Sequence, residues 1–368
     1  MASVTIVSGR IIVYRVFDIA EEVDLAAVER LLKTRQGASR LSIARSTGHA
    51  LVFRNAPLTL KLQTTEVRLG QQHRPAEVFA RVWDYGVISI QFHLAIAAGT
   101  SWQELVRLAA LAEDDNDFDQ LALEQSREVA VTLQPATKLP HEARGVEDYI
   151  VYFLERLDGV TAPIELLQAV DVPALILGEP REAISQKVRR VILENAHSYS
   201  DRDLAVVDWN SALVVEPEGV RDVADILEFA VTHLMEFRYF DDLLDERLER
   251  LYDALEHRGS VWSFLRNEYQ RLSREASALY LEFSDYVERV ENSVKFVGDF
   301  YLATIFRSAV ARFNLREWEE SVNRKMNALA RISELLQGEV NARRSHWLEI
   351  IVVALILVEL VSTILRLT

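Results

Sequence analysis

Two glutamates occupy the most apolar part of the sequence, where a carboxyl group can only be protonated or share hydrogen bonds. Glu349 and Glu359 lie within the run WLEIIVVALILVELVSTIL at residues 347–365. A helix of this length, at ~1.5 Å per residue, is about what a hydrocarbon core of ~30 Å requires. A charge near the middle of such a span costs ~2.5–3.5 kcal/mol. We therefore expect Glu359 either to be protonated or, as we favour, to be shared between associating helices.

The flanks of this run predict a membrane anchor at residues 346–366. Arg343 and Arg344 precede it and agree with the excess of basic residues on the cytoplasmic side, although Arg366 follows it. Trp347 stands at the expected interface. A very apolar core helix is the alternative, but core helices have shorter apolar runs. Since no cleavable signal is recognisable near residue 1, we expect a single-pass protein of the cell inner membrane whose soluble part is cytoplasmic.

A second group of carboxylates shares one face of a predicted helix, where a hard cation would find oxygen ligands. The residues on this face are Asp242, Asp245, Glu246 and Glu249, and Asp241 stands next to them in the sequence. Arg247 and Arg250 stand among them, so ion pairs on a solvated face are the favoured interpretation. We therefore predict no metal site.

The sequence contains no pattern of a known catalytic site. It lacks the glycine-rich phosphate loops, and His141 is not part of a zinc-binding helix motif. The eight histidines are scattered, and the chain has no cysteine, which excludes disulfides and thiol chemistry. The net charge of -15 disfavours contact with a phosphate backbone. We predict a protein that is not an enzyme, holds no cofactor and does not bind nucleic acid.

The elements before the anchor begin with what we interpret as a duplicated α/β unit. A strand-like run with the string IVY, a helix, a hairpin and a second helix occur twice in this order. The hairpins are predicted to turn at residues 84–86 and 208–210, since Gly and Asn tolerate positive φ. We predict one unit at 1–133 and another at 146–219. Residues 113–120 are expected to form a solvated loop, and the proline-containing stretch 134–145 to form the boundary.

Residues 220–345 are predicted to be entirely helical, with a 3-4 heptad pattern that indicates helix-on-helix packing. The residues expected to pack in this stalk are Leu265, Leu272, Leu279, Phe283 and Val290. We expect two antiparallel arms, 261–312 against 315–345, with a new helix beginning after Asn314. The predicted fold class is thus α+β, with duplicated small α/β head units, a long antiparallel helical stalk and one C-terminal transmembrane helix.

Several segments resemble the Rmd-type ("required for meiotic nuclear division") family, and the chain is interpreted as a bacterial member. The resemblance is carried by Leu348-Glu349-Ile350, Leu355-Ile356, Val358-Glu359-Leu360, Val322-Asn323-Arg324-Lys325 and the hairpin VFARVWDYGVISIQF. It implies a membrane-tethered, oligomerising protein without enzymatic activity.

The leading functional hypothesis is a membrane-anchored homo-oligomeric scaffold or tether whose cytoplasmic head binds an unknown protein partner. One alternative is a cation channel or transporter of the cobalt–magnesium type, although that class has two spans and a Gly-Met-Asn motif between them. The other is an enzyme with an unrecognised site.

Overall fold

The computed structural model describes most of the chain, in segments separated by gaps. The described residues are 4–32, 39–40, 51–53, 55–113, 117–179, 184–256, 271, 274–275, 277–281, 283–284, 294–296 and 300–367. Leu265, Leu272 and Val290, three of the five residues predicted to pack in a stalk, lie outside them.

A few of the strands are long and lie at the centre of the sheet, and the others are short. They are β1 (Thr5–Val23), β2 (Ser39–Arg40), β3 (Leu51–Phe53), β4 (Leu58–Lys61), β5 (Thr65–Leu69), β6 (Gln72–Val82), β7 (Val87–Ala95), β8 (Thr100–Ser101), β9 (Thr137–Asp158), β10 (Ala196–His197), β11 (Leu204–Val207), β12 (Ser211–Val215) and β13 (Val294–Phe296). The centres of β1 and β9 are rich in β-branched and aromatic residues, which favour a pleated, buried surface.

The helices are shorter before residue 220 and longer after it. They are α1 (Leu25–Leu32), α2 (Trp102–Glu113), α3 (Asp117–Leu133), α4 (Leu166–Ala169), α5 (Val172–Ile176), α6 (Gln186–Leu193), α7 (Asp222–Glu256), α8 (Phe300–Arg312) and α9 (Leu315–Leu367). Residues 277–281 are also helical. The Asp24 carboxylate accepts a 2.9 Å hydrogen bond from the amide of Ala27 and so caps the N-terminus of α1.

Eleven strands form one mixed sheet in the order β10-β11-β12-β9-β1-β7-β6-β4-β2, with β5 paired to β6 and β8 paired to β1. The central pair, β1 and β9, is antiparallel and brings Val13 opposite Ile150. β7 is antiparallel to β1, whereas β12 is parallel to β9. The hairpins β6–β7 and β11–β12 therefore join the sheet in opposite senses, and the predicted duplication of an α/β unit stays a prediction.

Successive residues of a strand point to opposite faces of the sheet. Both faces of this sheet carry apolar side chains, and helices pack against both. On one face, Phe92 contacts Phe118 of α3 with 5.2 Å between ring centroids. On the other face, the ring centroid of Tyr149 lies 5.3 Å from that of Phe313, which follows α8, and the ring of Phe229 in α7 lies 5.4 Å from Trp83. The result is an α+β fold with a three-layer arrangement around the sheet.

Both predicted hairpin turns are confirmed. β6 turns into β7 at residues 84–86, and β11 turns into β12 at residues 208–210. Gly86 has φ +91, and a Cβ built on it would lie 1.6 Å from the carbonyl oxygen of Ala20. This turn therefore needs glycine both for its backbone conformation and for the close approach of β1.

Two local predictions are wrong. Residues 117–120, expected in a solvated loop, form the first turn of α3. The stretch 134–145, expected to separate two domains, enters β9 at Thr137 and pairs with β1, so it lies within the sheet. Its proline and glycine signals mark an irregular strand, since the pairing shifts register repeatedly near this end of β1.

The chain divides into two compact units. The first comprises Met1–Tyr239 and Glu288–Trp318, and the second comprises Phe240–Val287 and Glu319–Thr368. The first half of α7 and all of α8 thus belong to the unit that contains the sheet, although both fall within the segment predicted as stalk. The second unit is helical in its described residues.

Candidate functional site

A group of buried polar and ionisable side chains lies between the sheet and the start of α7. Polar residues occupy alternate positions on the α7 side of the neighbouring strands, so they share one face. They are Tyr14 on β1, Arg81 on β6, and Gln91 and His93 on β7; α7 adds Asp225 and Glu228. We call these six residues the α7 cluster.

Arg81 is at the centre of the α7 cluster and is completely buried. Its Nη1 donates to Asp225 at 2.8 Å and also to Glu228. Asp225 and Glu228 are three residues apart on one helix, which brings both carboxylates to the same side of α7. Nε of Arg81 donates to the hydroxyl of Thr59 at 3.3 Å. The guanidinium of Arg81 thus ties two buried carboxylates of α7 to the sheet.

A chain of hydrogen bonds leads from Glu228 to His93. Gln91 Nε2 donates to Glu228 Oε1 at 2.8 Å, and Gln91 Oε1 lies 3.1 Å from His93 Nε2. Phe79 packs beside His93, with ring centroids 4.7 Å apart. These contacts fix the orientation of the imidazole.

Burial and mutual interaction shift the pKa values of these groups. Burial raises the pKa of Glu228, and the nearby Arg81 only partly opposes this. Burial by itself would lower the pKa of Arg81, but Asp225 and Glu228 reverse that effect and raise it. Burial and then the charge of Arg221 hold the pKa of His93 well below its ordinary value. Glu228 is therefore a proton acceptor of increased basicity, and His93 is neutral at neutral pH.

The α7 cluster can exchange protons and offer directed hydrogen bonds, but all six of its members are less than 9% exposed. A large substrate would not reach these groups in this arrangement. Their geometry is that of a buried hydrogen-bonded network in which each side chain orders its neighbours.

The sequence of this sheet identifies a family. A profile described as "Uncharacterized protein MJ0711, N-terminal domain" matches residues 8–222, more than half of the chain. The chain belongs to this family. The match ends at the first residue of α7, so it includes Arg81, Gln91 and His93 but not the two carboxylates. The predicted membership of the Rmd-type family is therefore wrong, because the segments that carried it are short and mostly lie outside the matched domain.

One relative with the same family description is known from Methanocaldococcus jannaschii. "Uncharacterized protein MJ0711" is 25% identical over 195 residues, which are 52% of this chain and 58% of the relative. The chain thus aligns with little more than half of the relative's length. Neither description names an activity or a ligand.

The acidic group predicted at 241–249 is engaged in ion pairs. Lys325 of α9 lies 2.8 Å from Asp241 and 2.6 Å from Asp245, and Arg250 pairs with Glu246. No group of three or more potential metal ligands is found among the described residues. Three of the five carboxylates of this group are thus held in ion pairs.

The residues predicted to act at a membrane all lie in α9. Glu349 and Glu359 are exposed. The side chains of Arg343, Arg344 and Trp347 are outside those that the structure describes. Within the described part of the chain, none of the helices combines the length and the apolar character needed to cross a membrane.

Two of the residues predicted to pack in a stalk are buried in the helical unit. Leu279 is 6% exposed and Phe283 is 4% exposed. Phe283 contacts Phe240 of α7 edge-on, with 5.0 Å between centroids. The observed partner of Phe283 thus lies in the second half of α7, a helix outside the two arms that were predicted to pair.

The sequence did not point to the α7 cluster. The alternation of Ser89, Gln91 and His93 with apolar residues predicts a strand with one polar face, which usually means a face in water. The sequence around Asp225 and Glu228 predicts ordinary acidic residues on the surface of a helix. One feature of the sequence could have indicated it. Two acidic residues lie on a largely apolar helix, and an arginine lies on an apolar strand.

Proposed function

We propose that the protein is a membrane-anchored tether, with the apolar end of α9 inserted in a lipid bilayer and the sheet-containing unit exposed to a protein partner. One observation carries the proposal: nine large apolar side chains near this end of α9 are each 49–66% exposed. They are Leu348, Ile350, Ile351, Val352, Val353, Leu355, Ile356, Leu357 and Val358. Successive residues are turned by ~100° around a helix, so the apolar surface encircles α9.

The size of this surface argues against leaving it in water. Complete burial of one aliphatic side chain contributes ~1.5–3 kcal/mol. For nine side chains that are about half exposed, the total is on the order of 10 kcal/mol. Net stabilities of whole domains are only ~5–15 kcal/mol. A helix that is apolar on all sides is typical of a membrane segment or a protein core. The apolar run continues in the sequence with Leu360, Val361, Ile364 and Leu365. This length supports insertion into a bilayer over burial in a protein core.

The helical unit supplies the proposed stalk. Lys325 ties α9 to α7 through Asp241 and Asp245, and Arg247 of α7 lies 3.3 Å from Glu275. These pairs, with the contact of Phe240 and Phe283 described above, support a helical assembly that leads to the anchor. Arg343 and Arg344 support a cytoplasmic position for this unit, by the excess of basic residues on that side of membranes.

A flotation experiment tests the anchor. The full chain is mixed with neutral phosphatidylcholine vesicles and separated on a density gradient. We expect the parent to float and a variant with Ile351→Gln, Leu355→Gln and Val358→Gln to remain at the bottom. The matched control changes three exposed apolar residues of the sheet-containing unit, Val131, Leu139 and Val146, to Gln, and it should float. Flotation of the α9 variant with the parent would contradict the proposal.

We also propose that the anchors associate through Glu359. A carboxyl group within hydrocarbon gains ~0.6–2 kcal/mol from each hydrogen bond to a neighbouring helix. Glu359→Leu should therefore shift the detergent-solubilised full chain to smaller species in native mass spectrometry. Glu349→Leu, closer to the interface, should have the weaker effect. An unchanged subunit number for Glu359→Leu would leave membrane anchoring intact but remove the argument for an oligomer held by this residue.

A further inference from the structure

One histidine of the sheet faces a hydrogen-bond acceptor at each of its two ring nitrogens. Nδ1 of His141, on β9, lies 2.9 Å from the carbonyl oxygen of Glu142. Nε2 of the same ring lies 3.2 Å from Oδ2 of Asp18 on β1. The carbonyl oxygen can only accept, and so can an ionised carboxylate. A neutral imidazole has one N–H, so it satisfies one of these acceptors and turns a lone pair towards the other.

Both contacts are satisfied only when the Asp18–His141 pair carries one more proton than a neutral imidazole beside an ionised carboxylate. The pair is then an imidazolium beside a carboxylate, or a neutral ring that accepts at Nε2 from a protonated Asp18. Little water reaches the contact, because the Asp18 side chain is 5% exposed and that of His141 is 20% exposed. Burial raises the pKa of Asp18. Burial lowers the pKa of His141, but the contacts with Asp18 and Glu142 reverse this effect and raise it.

The neighbours of His141 connect this pair to α7. The ring of Tyr239, in α7, is stacked on the imidazole with 6.4 Å between centroids and 15° between planes. The hydroxyl of Tyr239 accepts a 3.2 Å hydrogen bond from Nη1 of Arg144, three residues after His141 on β9. Arg144 is positive and opposes protonation of the ring, whereas Asp18 favours it from β1. The protonated pair therefore holds this part of β9 against both β1 and α7.

The backbone on either side of His141 is strained and weakly paired. Leu139 has φ +48, a left-handed conformation that residues other than glycine rarely adopt, and its side chain is 68% exposed. Such strain persists only where the surrounding contacts hold the backbone in place. The pairing of β9 with β1 shifts register here and sets Ala20 opposite Pro140, which has no N–H to donate. The side-chain contacts of His141 therefore carry much of the attachment.

We propose that residues 138–146 form a proton-operated latch, which is closed on β1 and α7 while the Asp18–His141 pair holds its additional proton and opens when that proton leaves. Deprotonation breaks one of the two hydrogen bonds of His141, so the ring leaves Tyr239 and Leu139 relaxes to an ordinary conformation. The latch is closed below the ordinary histidine pKa of ~6.5 and opens as pH rises through the raised pKa of the folded state. Tyr239 is the last residue of α7 within the sheet-containing unit, so the latch acts at that end of the unit.

Limited proteolysis with trypsin tests the latch, because Arg144 is a cleavage site within it. The detergent-solubilised full chain is digested at several pH values from about 6 to about 9, on either side of the ordinary histidine pKa. The rate of cleavage after Arg144 is divided by that of an unstructured peptide of residues 138–150, which removes the pH dependence of trypsin itself. We expect the ratio to rise about tenfold with pH, the effect of losing one hydrogen bond to a charged group. The control His73→Gln, which changes an exposed histidine of β6, should behave like the parent.

Asp18→Asn distinguishes the latch from a general loosening of the sheet at high pH. The amide of the new side chain can donate to Nε2 of a neutral His141 while Nδ1 donates to Glu142, so both contacts survive without the additional proton. We expect this variant to resist cleavage after Arg144 over the whole pH range. A parent whose cleavage ratio does not change with pH, or an Asp18→Asn variant whose ratio rises as in the parent, would overturn the proposal.

Nitrogen NMR of the imidazole provides a readout that does not depend on cleavage. The resonances of His141 are assigned by their loss in His141→Gln. At about pH 6, just below the ordinary histidine pKa, we expect Nδ1 of His141 to carry a proton in the parent. The state of the ring should then change over the same pH range as the cleavage ratio. A ring protonated at Nε2 alone at this pH would also overturn the proposal. None of these outcomes bears on the membrane anchor, since that is tested by flotation.

Discussion

Replacing Arg81 with methionine should destabilise the sheet-containing unit strongly. The guanidinium is fully buried and is bonded to the carboxylates of Asp225 and Glu228, whose side chains are 7% and 0% exposed. Arg81→Met retains most of the side-chain volume but leaves two buried carboxylates without a cation. Removing one partner of a buried ion pair costs ~3–5 kcal/mol, a large share of a typical stability of ~5–15 kcal/mol.

Urea unfolding followed by circular dichroism measures this loss. The matched control is Arg68→Met, because Arg68 pairs with Asp117 at 3.2 Å while remaining 57% exposed. An exposed pair contributes ~0–1 kcal/mol, so the control should unfold close to the parent. Combining Arg81→Met with Asp225→Leu and Glu228→Met should restore much of the stability, because the buried charges are then removed together.

The loss should also depend on pH. Burial raises the pKa of Glu228 even beside Arg81, and without the guanidinium nothing opposes this effect as strongly. A carboxyl group with a raised folded-state pKa binds more protons folded than unfolded, so stability falls as pH rises above its unfolded pKa of ~4.3. Arg81→Met should thus be less damaging at about pH 5 than at about pH 7. A loss below about 1 kcal/mol at neutral pH would refute the assignment of Arg81 as the counter-ion of these carboxylates.

Two further predictions concern the sheet. Gly86→Ala should lower the free energy of unfolding by more than the ~1–3 kcal/mol of backbone strain alone, because the new Cβ would meet Ala20. The control is Gly99→Ala, which should show only the strain, since Gly99 has φ +85 and nothing lies within 4 Å of its Cβ position. Equal urea midpoints for the two variants would contradict this reasoning. Burial lowers the pKa of His141, but the hydrogen bond to Asp18, the charge of Asp18 and the hydrogen bond to the Glu142 backbone together raise it above its ordinary value. The stability from this pair is thus complete below the unfolded pKa of ~6.5 and is lost as pH rises through the folded-state pKa. His141→Gln should flatten the pH dependence of unfolding in that range, and an unaltered slope would count against the pair.

Short-range features were predictable from the sequence. The turns at 84–86 and 208–210, the cap at Asp24 and the start of α9 after Asn314 all depend on residues within four positions of one another. In such features the side chain and the backbone groups that it satisfies are held together by the covalent chain, so few competing partners exist.

The failures arose where a distant partner overrode a local signal. Proline and glycine in 134–145 indicate a break, yet β1 supplies a complementary strand and the segment continues as β9. The acids at 117–120 indicate a solvated loop, but Asp117 and Asp119 favour the first turn of a helix, and Phe118 is fully buried beside Phe92.

The α7 cluster could not be derived from local patterns. Alternation along β6 and β7 assigns Arg81, Gln91 and His93 to one face of the strands, and helical spacing assigns Asp225 and Glu228 to one side of α7. Nothing in either pattern says that these two surfaces meet, since Arg81 and Glu228 are 147 positions apart.

The sequence by itself determined the two hairpin turns, the start of α9 and the apolar character of its end, because these follow from residues close together along the chain. Only the tertiary structure decided which polar faces are in water and which are covered. That outcome depends on how the sheet is ordered and on which helix packs against it. It therefore also decided the pKa values of Glu228 and His93, which are set by burial and by charges that the fold brings together.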